Sequence, residues 1–341
     1  METTVGERTG RLPVGVAVAA SLVLGVLGLF WLARGDRNPL DHDGRPFSSA
    51  LAGWPDGWAN GIFLCCALIA LAAALWLSYD RHASPWVAGT AIVALLVLLD
   101  ASSLTAVGYL PATTVGSLLG LGDADLSMLA SPGLLLQLTL LGTVAAFGAV
   151  IAGRVRAGLR AVERTETPGD RAGRLALVTA RTRRWTRIAV EAPLVYALTR
   201  VLMFFRVPGF DMFGFNEPIL WAGLGLAVSA AAGAWLTCGL VRPWGEVFPR
   251  WLVGLRGRRV PIGLAVVPGL LVSVMVATAA KDLFASFLVD GAGVEAVVEW
   301  PLVTLPMLLW PLWAFALAMA TVNYGVRRRL TRSGSPDPAR R

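Results

Sequence analysis

Eight apolar stretches punctuate the chain, near residues 13 to 33, 58 to 79, 86 to 107, 128 to 153, 188 to 206, 218 to 241, 261 to 281 and 301 to 324. A hydrocarbon core is crossed by about 20 apolar residues wound as helix. Backbone polar groups in lipid must be satisfied within the chain, and no barrel-like alternation is present. The pattern therefore predicts an all-α fold, a polytopic bundle of about eight transmembrane helices. The first stretch follows Arg8 and Arg11 as a signal peptide would. It is too long for one and lacks a small-residue cleavage site, so a retained helix is expected.

The arginines fall almost entirely in alternate gaps between these stretches. With the N-terminus in the cytoplasm, Arg8, Arg11, Arg81, the ten arginines from Arg154 to Arg187, the five from Arg242 to Arg259 and the six from Arg327 onward share one side. Only Arg34, Arg37, Arg45 and Arg206 fall on the other, while Arg200 lies inside a stretch and Lys281 at the end of one. This is the positive-inside signature, and an even number of spans returns the C-terminus to the cytoplasm. The expected organisation is a cytoplasmic N-terminus at 1–12, a first four-helix half at 13–153, a basic cytoplasmic loop at 154–187, a second four-helix half at 188–324 and a basic tail at 325–341. Both halves follow the order helix, outer loop, helix, inner loop, helix, outer loop, helix, although their loop lengths differ.

Composition agrees. The chain is 56% hydrophobic and only 15% charged, where soluble domains carry about 25%. Its formal charge of +8 is accounted for by an anionic lipid leaflet at the cytoplasmic face, and no nucleic-acid partner is expected. The basic loop divides at Thr167-Pro168-Gly169-Asp170 into two pieces that suit short helices. The second piece suits a helix on the leaflet, a solvated linker or a docking segment for a protein partner.

Ionisable side chains inside a span are costly and face a partner or a watery cavity. Asp100, Glu191 and Arg200 are the clear cases, and counting residues puts Asp100 and Arg200 at similar depth in the outer half. They are a candidate ion pair. Gln137, Tyr196, Glu217, Lys281 and Asp282 fall nearby in depth and complete a candidate intramembrane polar cluster, with Tyr196 one turn from Arg200 on the same face. The plain alternative is a packing salt bridge with interfacial anchors. Pro193, Pro268, Pro306 and Pro311 fall inside predicted spans and free backbone carbonyls there.

No catalytic residue, metal site or cofactor is indicated. His42 and His82 fall in loops on opposite sides, and neither a phosphate-binding glycine loop nor a nucleophile elbow occurs. Cys65, Cys66 and Cys238 lie in apolar stretches and are expected as small core residues.

The most distinctive string is Trp244-Gly-Glu-Val-Phe-Pro-Arg-Trp251, followed by Gly257-Arg-Arg-Val-Pro261. Trp244, Phe248 and Trp251 recur at helical spacing and suit headgroup depth, while Glu246 and Arg250 stand i,i+4 and are expected to pair facing water. Pro249 would bend or interrupt such a helix, and two turns in place of one helix are the alternative. Together with Tyr196-Ala-Leu-Thr-Arg200 and Tyr324-Gly-Val-Arg-Arg-Arg329, the string resembles a family of actinobacterial polytopic membrane proteins to which no activity is attached. The resemblance covers mainly the second half. It implies a bacterial plasma-membrane protein, in keeping with a composition rich in Arg, Ala and Gly. Three functions are compatible with these residues: a non-enzymatic membrane component or partner-binding protein, a small-solute or ion permease with an outward polar cavity around Asp100 and Arg200, and a membrane enzyme acting on a lipid-linked substrate.

Overall fold

The computed structural model describes residues 3–40, 51, 54–80, 83–104, 106–108, 131–210, 217–250, 254–288 and 292–333. Trp251, Arg81, His42 and His82 lie outside the described residues, as do most of the predicted outer loops at 41–50 and 109–130. Among the described residues the regular structure is helical, apart from one antiparallel bridge between Val247 and Arg259.

The helices are α1 (Thr3–Arg34), α2 (Asp56–Tyr79), α3 (Pro85–Leu98), the short α4 (Ser102–Gly108), α5 (Pro132–Thr165), α6 (Pro168–Phe204), α7 (Glu217–Cys238), α8 (Ile262–Leu288), α9 (Ala292–Glu299), α10 (Pro301–Thr304) and α11 (Trp310–Ser333). Six are long and apolar enough to cross a membrane: α1, α2, α5, α7, α8 and the run from α10 through α11. The bent pair α3 and α4 makes a seventh if it forms one span. The predicted span at 188 to 206 is the second half of α6 and is not among the six. Arg187, Glu191 and Arg200 lower its apolar character.

Side-chain distribution shows what solvent these helices meet. The buried face of α2 is mostly small, with Ala59, Ala67, Ala70, Ala73 and Ala74 beside Asn60 and Phe63, while Leu68, Ile69, Leu75 and Trp76 are exposed. Small residues let membrane helices approach closely, and large apolar ones face lipid. Gly28 of α1 shows the closeness: a Cβ there would stand 2.9 Å from the Phe63 ring and 3.2 Å from the Leu64 Cα.

The chain forms two compact units, Met1–Ser103 with Leu126–Thr165, and Leu104–Asp125 with Glu166–Arg341. In the first, α1 packs on α2 and α5, and α3 packs on the same two, closing a ring of four helices. In the second, α6 packs on α7 and α11, and α11 packs on α8. Among the described residues, α7 and α8 share no extended packing.

Three expected boundaries move. The basic segment 154–187 is helical on both sides of its expected division, and its pieces are not separate short helices but extensions, because α5 continues to Thr165 and α6 starts at Pro168. Arginine, alanine and leucine are good helix formers, so only the Pro-Gly step interrupts. There Thr167 caps α6 by accepting the Asp170 N–H at 3.3 Å, with Pro168 at the first helical position. The tail also differs: α11 runs to Ser333, so residues 325–333 are helical. Before it, Pro306 falls in a 3-10 turn, Leu305–Leu309, and Pro311 in the first turn of α11. Their missing N–H groups thus mark a break, whereas Pro193 and Pro268 lie within α6 and α8.

Candidate functional site

The segment between α7 and α8 is a compact turn and not the helix its spacing suggested. A 3-10 turn at Pro243–Gly245 leads into the bridge that pairs Val247 with Arg259. Phe248 N–H donates to the Arg258 carbonyl at 3.0 Å, and Val260 N–H to the Glu246 carbonyl at 2.9 Å. Pro249 lacks an N–H, and glycines at 254 and 257 take positive φ of 84° and 72°, so the chain folds back on itself. Gly245 is required for a different reason. A Cβ there would stand 1.8 Å from the Gly239 carbonyl oxygen.

This turn is fastened by the end of α11. Tyr324 is fully buried and donates its hydroxyl to the Gly245 carbonyl at 2.6 Å. Arg328, 3% exposed, donates to Gly245 O and the Tyr324 hydroxyl, each at 3.1 Å, and to Val260 O at 3.1 Å. Arg327 donates to Leu240 O at 3.1 Å and to the Glu246 carboxylate at 2.7 Å. The expected Glu246–Arg250 pair is therefore replaced by Glu246–Arg327, because no helix holds 246 and 250 one turn apart. Two strings that the sequence set apart, about eighty residues from each other, meet in one hydrogen-bonded cluster. The arginines from Arg327 onward had only marked topology. A tyrosine followed by arginines at i+3 and i+4 was the available signal.

A second polar site lies in the first unit, where the third predicted span breaks. Leu99 leaves the helix with extended backbone, and α4 begins two residues beyond Asp100. Asp100, 4% exposed, caps that start: its carboxylate accepts the Ser102 N–H at 2.8 Å and also the Ser102 hydroxyl. Gln137 of α5 is fully buried beside it. Its amide donates to the Leu98 carbonyl at 3.3 Å and accepts the Asp100 N–H at 3.2 Å. One side chain thus satisfies a donor and an acceptor released by the break, which lipid could not do.

Arg200 belongs to the second unit. Its Nε donates to the Tyr196 hydroxyl at 3.1 Å, its Nη1 meets Met203 Sδ at 3.3 Å, and the guanidinium stands 5.1 Å from the Tyr196 ring centroid. Its stem passes Gly223 of α7, where a Cβ would stand 3.7 Å from the Arg200 Cδ in ordinary contact. Asp100 and Arg200 therefore each have partners in their own unit.

The remaining candidates are dispersed. Lys281 Nζ lies 3.2 Å from the buried Asp282 carboxylate inside α8, beyond the predicted end of that span. Glu217 opens α7 and pairs with Arg206, both exposed. Glu191 is exposed on α6. Trp244 stacks on Trp235, centroids 4.9 Å apart, and Arg250 is exposed. Of the cysteines only Cys66 is buried; Cys65 is exposed on α2, since neighbours on a helix cannot share one face.

Six apolar helices of spanning length among the described residues, with many large apolar side chains left exposed on them, define a multi-pass membrane protein. Comparison with protein-family models, characterised proteins and solved structures finds no match to this chain.

Proposed function

We propose that the chain is a non-enzymatic plasma-membrane component of eight spans, both termini cytoplasmic, which presents a rigid basic surface to an acidic protein partner. The first half of α6 carries this reading. It is a helix continuous with the predicted fifth span, and Arg181, Arg183, Arg184 and Arg187 are exposed along it. No carboxylate lies within ion-pair distance of these four among the described residues. Arg171 ties the same helix to α11 by donating to the Leu330 carbonyl at 2.8 Å. A surface ordered before binding loses little entropy on association.

The test is extraction in native-lipid particles followed by identification of stoichiometric partners. Joint replacement of Arg181, Arg183 and Arg184 by Glu is expected to release an acidic partner. An unchanged set of co-purifying proteins would overturn the proposal.

The break at Asp100 supports a second reading, a permease, because transporters place interrupted helices at their ligand sites. Single cysteines at positions 100, 137, 196 and 200 in a cysteine-free background test it. Labelling by an external membrane-impermeant reagent at 100 and 137 is expected for a permease, and protection at all four positions removes that reading.

A further inference from the structure

The gap between α7 and α8 is a cavity of about 430 Å³. Leu236 of α7, Leu264 and Pro268 of α8, and Trp313 and Leu317 of α11 form its walls, and Trp244 of the turn closes one end. Leu236 and Leu264 at its edges are 60% and 57% exposed. From Leu264 to Val272 the groove follows α8 for two turns, about 12 Å at 1.5 Å per residue.

Such a groove in a spanning helix pair is open to the hydrocarbon. Its lining is mainly apolar, with Thr237 and Thr321 as its hydroxyl side chains, so water gains few partners there, and leaving it empty forfeits dispersion contacts along its walls. An alkyl chain satisfies both conditions. The turn stands at the polar end of the two apolar helices, so the head of a lipid whose alkyl chain enters the groove sideways from the bilayer lies level with the turn between α7 and α8. That turn carries exposed Arg242, Arg250, Arg256, Arg258 and Arg259. Its single acidic residue, Glu246, is engaged by Arg327. Apolar shape and unbalanced positive charge therefore select the same molecule from two directions.

We infer that the α7–α8 groove holds one acyl chain of an anionic glycerophospholipid, with the phosphate head group at Arg258 and Arg259. The site depends on neither the partner surface of α6 nor the orientation of the chain in the membrane.

The experiment uses the full-length protein in nanodiscs containing equal amounts of phosphatidylglycerol and phosphatidylcholine, each bearing a photoactivatable acyl chain in separate preparations. Crosslinks from phosphatidylglycerol are expected within 233–240, 260–272 and 313–321. They should exceed those from phosphatidylcholine by about thirtyfold, as two interfacial arginines contributing about 1 kcal/mol each allow. Arg258→Gln with Arg259→Gln should abolish that preference without moving the crosslinked peptides. Leu236→Trp should fill the groove and remove the crosslinks altogether. Crosslinks spread evenly over all lipid-facing helices in the wild-type protein, or equal yields from the two lipids, would overturn the inference. The wild-type measurement decides this even where a variant does not fold.

Discussion

The two four-helix units share an order of neighbours and differ at one pair. In each, the first helix packs on the second and fourth, and the third packs on the fourth; in α1, α2, α3 and α5 the second and third also pack together, whereas among the described residues α7 and α8 share no extended packing. The closed ring is held from within. Its buried residues are alanines and leucines in the main, and Gln137 supplies the hydrogen bonds that the α3 break requires. The open unit is held from one end, where Tyr324, Arg327 and Arg328 fasten the α7–α8 turn. A helix pair without direct packing needs a separate clasp, and the space left between its members becomes available to lipid.

The strongest way to break this comparison is to remove the clasp. Arg328→Met strips three carbonyl and hydroxyl groups of a charged donor and is expected to cost about 3 kcal/mol, read as a lower midpoint in detergent unfolding. Labelling of single cysteines placed in 254–259 should rise at the same time, and unchanged labelling would show that the turn holds without it. Gln137→Leu is the matching change in the ring. It orphans the Leu98 carbonyl and the Asp100 N–H and is expected to cost about 2 kcal/mol, while phosphatidylglycerol crosslinking in the groove stays as in wild type.

Smaller changes sharpen the contrast. Tyr324→Phe deletes one hydroxyl donor but keeps the ring, so a loss of about 1 kcal/mol is expected in the same unfolding assay. Asp100→Ala removes the cap of α4 at a similar cost of about 1 kcal/mol, and Asp100→Asn, which retains an acceptor, should lose less. The smallest effect has the opposite sign. Thr321 Oγ1 is buried without a hydrogen-bond partner, so Thr321→Val is expected to stabilise the second unit by about 0.5 kcal/mol.

The helices were legible along the chain because each one solves its own backbone hydrogen bonding in lipid and leaves a long apolar trace. Six of the expected spans reappear as long apolar helices, and a seventh as the α3–α4 pair. The basic segment between the halves was less legible, since its charges suggested a solvated loop while its helix-forming residues continued α5 and α6. The polar sites were only partly readable. Asp100 was recognised as costly in a membrane and Gln137 as near it in depth, but what joins them is a break in α3, and no proline stands there to announce it. The turn at 243–260 was legible in part: aromatic spacing imitated a helix and Pro249 announced its interruption, while the glycines at 254 and 257 that complete the reversal were not singled out.

The chain by itself determined the class of fold and the uneven distribution of positive charge, because hydropathy and arginine placement act locally on each segment. Only the tertiary structure decided which arginines are solvated and which are structural. Arg258 and Arg328 look alike in sequence, yet one is exposed and the other is 3% exposed and bound to two backbone carbonyls. That difference arises from the approach of segments about eighty residues apart, since a buried guanidinium is tolerated only where another part of the chain brings oxygen atoms to meet it.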